Sequence, residues 1–301
     1  MQEFYSNGKL LISGEYVVLD GAKALALPTK FGQSLTIMPI DETKLFWKSY
    51  NNDKSLWFEG TFDIENGTLK AHQDNEVSNR IVQILQTAQT LNPDFLSSNQ
   101  GYNISTALTF PKNWGLGTSS TLINNIADWA EVNAYELLKN TFGGSGYDIA
   151  CAQNNLPITF QRTQNDIEVN ALNFNPEFKE HIYFVYLNEK QNSREGIATY
   201  NSNKSNIEPV ISEINKITEL LLNCESLTTF EDLLTQHESI ISKVIKQQTV
   251  KDRLFPDFNG VVKSLGAWGG DFVLVASEDD PTSYFKTKGY HTILRYQDMI
   301  L

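Results

Sequence analysis

The residues best suited to chemistry in this 301-residue chain sit in four glycine-bearing stretches. The most informative is Pro111-Lys112-Asn113-Trp114-Gly115-Leu116-Gly117-Thr118-Ser119-Ser120-Thr121. Its glycines let the backbone turn tightly and bring N–H groups close to a ligand. An amphipathic helix follows, and its first N–H groups and positive dipole end face the loop. The hydroxyls of Thr118, Ser119 and Ser120 add donors, and one of them could ligate Mg²⁺. Together these parts make an anion cradle suited to nucleotide phosphates. Taken alone, the stretch reads equally well as a plain turn with Thr118 or Ser119 as the helix N-cap. It is neither a Walker A loop nor a dinucleotide fingerprint, because the lysine of the one and the third glycine of the other are absent.

The second stretch, Gly143-Gly144-Ser145-Gly146-Tyr147-Asp148-Ile149-Ala150, presents a carboxylate from a glycine turn at a predicted helix start. Asp148 could serve there as a base or charge partner for an attacking hydroxyl. A helix-capping pair of Ser145 and Asp148 is the simpler local reading. The third, Lys263-Ser264-Leu265-Gly266-Ala267-Trp268-Gly269-Gly270-Asp271, could bring backbone close to a ligand or could form a long hairpin turn. The fourth is Ser6-Asn7-Gly8-Lys9-Leu10-Leu11-Ile12-Ser13-Gly14-Glu15-Tyr16. Lys9 opens an otherwise apolar strand, where it could be solvated or could bind a phosphate from a cleft.

The elements that must hold these stretches follow from periodicity. The runs Leu10–Ile12 and Tyr16–Leu19 read as short strands, with a tight turn at Asp20-Gly21. Ser34–Ile37 and Lys44–Trp47 alternate as strands, and Tyr102–Leu108 is another. Ile81, Ile84, Leu85, Ala88 and Leu91 fall on one helical face, and a second helix is predicted from Ser119 to Leu138. A short helix starts after Gly146. Beyond residue 170 the spacing predicts strands at Ile182–Leu187, Phe272–Ala276 and His291–Leu294. It predicts helices through Val210–Leu221, Phe230–Ile245 and Ser283–Lys288. The whole reads as α+β, in two lobes spanning 1–170 and 171–301.

Composition narrows the functional class. Lys and Arg number 24 against 36 Asp and Glu, a formal charge of −12. That excess argues against nucleic acid or an anionic membrane as partner, since both call for surplus cations. Two cysteines, Cys151 and Cys224, cannot make a disulfide framework, and no Cys/His group has zinc-ligand spacing. The first residues lack the charged and apolar regions of a signal peptide, and no apolar run suits a bilayer span. A cytoplasmic protein is expected. His72, His181, His237 and His291 are scattered outside the four stretches and read as surface or internally bonded residues.

The four stretches in this order closely resemble the GHMP kinase superfamily, over residues 5 to 277. The resemblance implies an N-terminal lobe like ribosomal protein S5 domain 2, a ferredoxin-like C-terminal lobe, and ATP with Mg²⁺ as cofactors. By motif, Gly115, Leu116, Gly117, Thr118, Ser119 and Ser120 would hold the ATP phosphates, with Ser119 approaching Mg²⁺. Asp148 and Lys9 would be catalytic. Glu15, Tyr16, Ser145, Gly146, Arg194, Gly266, Ala267, Gly269 and Gly270 would line the acceptor site. Gly14-Glu15-Tyr16, Gly144–Ala150 and Gly269-Gly270-Asp271 look most like the phosphomevalonate kinase branch. The implied activity is γ-phosphoryl transfer from ATP to a small anionic acceptor, phosphomevalonate or mevalonate, by a monomer or homodimer. A catalytically silent binder of nucleotide or metabolite, or a diphosphomevalonate decarboxylase, are the alternatives. Three departures stand out. Asn7 replaces the usual Pro. Trp268 replaces a small residue, where it could narrow the acceptor pocket or stack on a ligand. Leu137 occupies the position of the acidic Mg²⁺ ligand of mevalonate kinases, with Glu136 beside it.

Overall fold

Alternating apolar residues build the first of two units. The computed structural model describes residues 1–65, 68–98, 100–163 and 166–301. Contacts divide the chain into one unit of residues 1–8, 31–112 and 116–153, and another of 9–30, 113–115 and 154–301. In the first unit the strands run in the order Thr68–Ala71, Leu56–Glu65, Lys44–Tyr50, Gly101–Leu108 and the second half of Ala24–Ile40. Lys44–Tyr50 and Gly101–Leu108 are parallel, and the other pairs are antiparallel. Leu35, Ile37, Leu45, Trp47, Phe62 and Ile104 point from the sheet into one core, where they meet Ile81, Ile84, Leu85, Ile123 and Ile126 from the helices Glu76–Leu91 and Thr118–Ala130.

In the second unit the first half of Ala24–Ile40 pairs antiparallel with Ile158–Arg162, which pairs with Ile167–Ala171. A separate antiparallel sheet has the order Val261–Ser264, Phe272–Ala276, Ile182–Tyr186, Ile293–Arg295. Every residue of Ile182–Tyr186 and Phe272–Ala276 is buried, as expected of strands covered on both faces. The helices Glu208–Leu222 and Leu227–Ile245 place Ile214, Ile241 and Ile245 around Tyr16, Val17 and Tyr200.

Two expectations change. Tyr16–Leu19 is not a strand: Val17–Asp20 is a 3₁₀ turn, entered through Tyr16 at φ 62° and left through Gly21 at φ 97°. The helix expected over Ser119–Leu138 is two helices, Thr118–Ala130 and Ala134–Lys139. Glu131 ends the first in the left-handed region at φ 54°, and Asn133 caps the second by accepting from the N–H groups of Tyr135 and Glu136. The stretch carrying Arg194 is a helix start, Ser193–Asn203, with the Asn192 side chain accepting from the Arg194 N–H. In the strand Leu56–Glu65, Phe58, Gly60, Phe62 and Ile64 alternate inward.

An L residue in the left-handed region costs about 1–2 kcal/mol that glycine avoids. Glu131→Gly should therefore raise stability by about 0.5–1 kcal/mol, the remainder offset by glycine's freedom in the unfolded chain. Urea unfolding monitored by circular dichroism checks it, and a lower midpoint in the variant would contradict the assignment.

Candidate active site

The backbone of the stretch 111–121 has the form that its glycines permit. Gly115 and Gly117 adopt φ 69° and 98°. Gly117 stands at the N-cap of Thr118–Ala130 and supplies no capping side chain, so the first N–H groups of this helix are left to other acceptors. Ser119 is exposed and Thr118 half-buried. Ser120 is turned inward: its hydroxyl donates to the Gly117 carbonyl at 2.9 Å. Its expected contact with phosphate is thus available through its N–H rather than its side chain. Leu116 is fully buried and anchors the turn by its side chain, leaving only its backbone for an anion.

Residues 113–115, at the start of this loop, belong to the second unit and are held by its aromatic residues. The Trp114 ring meets Phe272 edge-on at 5.3 Å, and the Tyr186 hydroxyl donates to the Asn113 carbonyl at 3.1 Å. The Lys9 ammonium donates to the Gly115 carbonyl at 2.9 Å. A Cβ on residue 115 would lie 2.3 Å from Asp271 Oδ2, so only glycine lets the Asp271 carboxylate approach this peptide. The structure therefore brings Lys9, Gly115 and Asp271, one residue from each of three separate stretches, to one place within the second unit.

Asp148 sits in the first turn of Tyr147–Gln153 and is half-buried. Its Oδ1 accepts from the Ile149 N–H at 3.2 Å, a position that the helix dipole favours for an anion. Ser145 and Gly146 before it are buried, and Gly146 has φ 96°. The Tyr135 phenol is pushed up to about 12 by burial and by the nearby Cys151 and Asp148, so it keeps its proton at neutral pH. Leu137 is fully buried in the core of the first unit, and Glu136 is exposed. Among the described residues no group of three or more His, Cys, Asp or Glu side chains is arranged to hold a metal ion.

The third stretch is packed rather than open. Arg253 donates to the Gly269 carbonyl at 3.0 Å, and a Cβ on Gly270 would lie 2.3 Å from the Gln191 side chain. Gly266 has φ 67° with open space where a Cβ would be, and Ala267 is half-buried. Trp268 does not reach toward a ligand. Only 5% exposed, it packs in the core cluster with Tyr16 and Tyr200, and its Nε1 donates to the Gln248 carbonyl at 3.2 Å. Arg194 is exposed in the first turn of its helix.

Glu15 and Tyr16 also face inward. Tyr16 stacks on Tyr200 at 5.6 Å. Glu15 has no exposure, and Oε1 accepts from the equally buried Lys263 ammonium, while Oε2 lies 3.2 Å from His237 Nε2. That nitrogen accepts the Gly14 N–H at 2.9 Å. The buried Glu238 completes the group, accepting from the Ser264 hydroxyl at 3.3 Å. The Lys263 ammonium thus pairs directly with Glu15, and its charge also acts on the buried Glu238. Burial pushes Glu15 up against the pull of Lys263, and it pushes Glu238 up to about 8. His237 falls well below its usual value through burial and the Lys263 charge, so its ring is neutral. Lys263, His237 and Glu238 carried no signal of this role in the sequence beyond being polar within apolar runs.

Removing Lys263 leaves a buried anion without a partner, a change that costs about 3–5 kcal/mol. Lys263→Met should lower the urea midpoint accordingly, and Lys263→Met with Glu15→Gln should recover part of the loss. Glu238 has a pH signature. Between its unfolded value near 4.5 and its folded value of about 8, the native protein holds a proton that the unfolded chain has shed. Its contribution therefore falls as pH rises through that window, by up to about 5 kcal/mol. Glu238→Gln should become progressively more stable than wild type from pH 5 to pH 8, and a constant difference would refute the assignment.

No protein-family model and no curated protein matches the sequence. Solved structures do match. The chain is similar to Streptococcus pneumoniae phosphomevalonate kinase in complex with phosphomevalonate and AMPPNP, at 16% identity and TM-score 0.67, covering 100% of this chain and 98% of that one. It is similar to Lactococcus lactis galactokinase complexed with galactose, at 14% identity and TM-score 0.71, over 98% and 92%. It is also similar to Methanococcus jannaschii mevalonate kinase, at 16% identity and TM-score 0.66, over 97% and 96%. Together with the glycine-borne stretches and the α+β units that carry them, these matches establish that the chain has the GHMP kinase fold.

Proposed function

We propose that this chain is an ATP-dependent kinase that transfers the γ-phosphoryl group to a small anionic acceptor, phosphomevalonate first and mevalonate second. The observation that carries the reading is the Gly115–Gly117 turn, which opens an uncapped helix start beside exposed Ser119, with the Lys9 ammonium fixed on the Gly115 carbonyl. Phosphoryl transfer asks mainly for positioning and for neutralisation of spread negative charge, and helix N–H groups with a held cation supply both.

The donor set fits a nucleotide better than a protein-built metal site. Backbone N–H groups of residues 118–120 and the Thr118 and Ser119 hydroxyls would hold phosphate oxygens. Mg²⁺, when bound, would neutralise phosphate charge, with Ser119 Oγ as its protein ligand and phosphate or water oxygens completing the set. In transfer the acceptor oxygen bonds to the γ-phosphorus as the bond to the bridging oxygen of ADP breaks. A hydroxyl acceptor must also shed a proton, and Asp148, a half-buried carboxylate at a helix start, would orient that hydroxyl or receive the proton. An ionised phosphate acceptor has no proton to lose, so Asp148 would then act by position and charge alone.

ADP release should be followed with Mg²⁺ and ATP, using phosphomevalonate, mevalonate, homoserine, galactose or no acceptor. One acceptor should stimulate release. Asp148→Asn should lower kcat by about 10²–10⁴-fold if that acceptor reacts through a hydroxyl, with MgAMPPNP affinity retained. Nucleotide binding without stimulation by any acceptor, and equal behaviour of the Asn variant, would favour a silent binder instead.

A further inference from the structure

The helix Thr118–Ala130 carries two consecutive asparagines in its middle, Asn124 and Asn125, and both are buried. Asparagine is a weak helix former, and a buried amide costs energy unless its polar atoms are bonded. Asn124 Oδ1 accepts from Gln153 Nε2 at 2.9 Å. Asn124 Nδ2 donates to Ser6 Oγ at 3.0 Å and lies 3.4 Å from Asp128 Oδ2. The Ser6 hydroxyl donates to Asn125 Oδ1 at 2.8 Å, and Asn125 Nδ2 donates to the Gln33 carbonyl at 2.9 Å. The Gln33 side chain accepts from the Thr121 hydroxyl at 2.8 Å, and the Thr121 N–H donates to the Gly117 carbonyl at 2.9 Å. One chain of hydrogen bonds therefore runs from the end of Tyr147–Gln153 to the turn at Gly117. All these groups lie within the first unit.

Resting on the kinase reading above, we propose that Gln153 and Asn124 are a positioning pair for phosphoryl transfer: their amide–amide bond sets the Asp148 carboxylate against the start of Thr118–Ala130. Asp148 and Gln153 stand near opposite ends of one seven-residue helix, about 7.5 Å apart along its axis. Between them the buried residues are Ile149, Ala150, Cys151 and Ala152. Apolar packing is non-directional, and small side chains offer little to stop a short helix from sliding or turning. A hydrogen bond to a fixed partner opposes both movements. Asn124 is such a partner, because Ser6 and Asn125 tie this helix segment to the strands Gln2–Leu11 and Ala24–Ile40. Gln153 itself is exposed, so its side chain is not needed to fill the core. A displacement of about 1 Å in a reacting group can cost about 10²-fold in rate, and the pair guards against a shift of that size.

The test compares wild type with Gln153→Leu, which keeps the bulk and removes the donor, and with Gln153→Lys, which keeps a donor. ADP release is measured with Mg²⁺, ATP and the best acceptor, alongside MgAMPPNP affinity. Gln153→Leu should lower kcat by about tenfold or more while KM for ATP stays within about threefold. Gln153→Lys should restore kcat to within about threefold of wild type. In a double-mutant cycle, Gln153→Leu should add no more than about twofold to the loss caused by Asp148→Asn, since a residue acting through Asp148 then has nothing left to place. Should Gln153→Leu fail to fold, Gln153→Ala replaces it. Wild-type kcat in Gln153→Leu, a Gln153→Lys as slow as Gln153→Leu, losses that multiply in the double variant, or a KM that rises in step with the fall in kcat would each overturn the inference and leave the kinase reading standing. Absence of ADP release in wild type, with or without MgAMPPNP binding, would overturn the kinase reading, and this inference with it.

Discussion

An ammonium and a carboxylate, neither touched by water, join Lys263 to Glu15 across 248 residues of sequence. Isolated burial of either charge would be prohibitive, so each makes the other tolerable. Their geometry fixes more than themselves. Glu15 belongs to the turn that follows the strand Gln2–Leu11, near whose end Lys9 lies, and Lys263 to the strand Val261–Ser264 that leads into the glycine run 266–270. His237 receives the Gly14 N–H of the same turn, and Ser13 bonds Thr218. Two of the glycine-bearing stretches are thus held from behind by a polar core rather than by their own loops.

A neutral Glu238 and a neutral His237 follow from this pair. With one ammonium available, ionising a second carboxyl would leave a net charge in an apolar surrounding. Burial favours the neutral form, so Glu238 retains its proton. The result is a polar cluster that balances to zero charge and still specifies direction, because every hydrogen bond within it requires a particular partner. Orientation of the Gly14–Tyr16 turn depends on that specificity. The left-handed Tyr16 would not adopt its torsion for local reasons, but its ring gains a stacked contact with Tyr200 there.

Parts of this architecture were legible in sequence where the signal is local. The Gly115–Gly117 turn, the carboxylate at the start of the Tyr147–Gln153 helix and the strand of Tyr102–Leu108 all follow from residues close together in the chain. The fold class was legible too, because periodicity survives substitution. What was hidden is what distant residues do to one another. Nothing near Glu15 announces Lys263, and nothing near Gly115 announces Asp271. Trp268 stands where the resemblance leads one to expect a small residue, which suggests a ring facing a ligand, yet its ring packs in the core with Tyr16 and Tyr200. The break at Glu131 escaped because a left-handed glutamate has no composition of its own to mark it.

The interleaving of the two units has a consequence for how the chain is made. Residues 9–30 leave the ribosome early, but the unit they belong to also needs 154–301. Glu15 cannot meet Lys263 until the chain has emerged beyond residue 263, and in the meantime its apolar neighbours Leu10, Leu11, Ile12, Val17 and Val18 have no final cover. Contacts of such long range make closure slow and leave sticky surface exposed while it proceeds. The residues of the first unit, by contrast, are complete once Gln153 is synthesised. Vectorial synthesis therefore makes the residues of the first unit available before those that close the second.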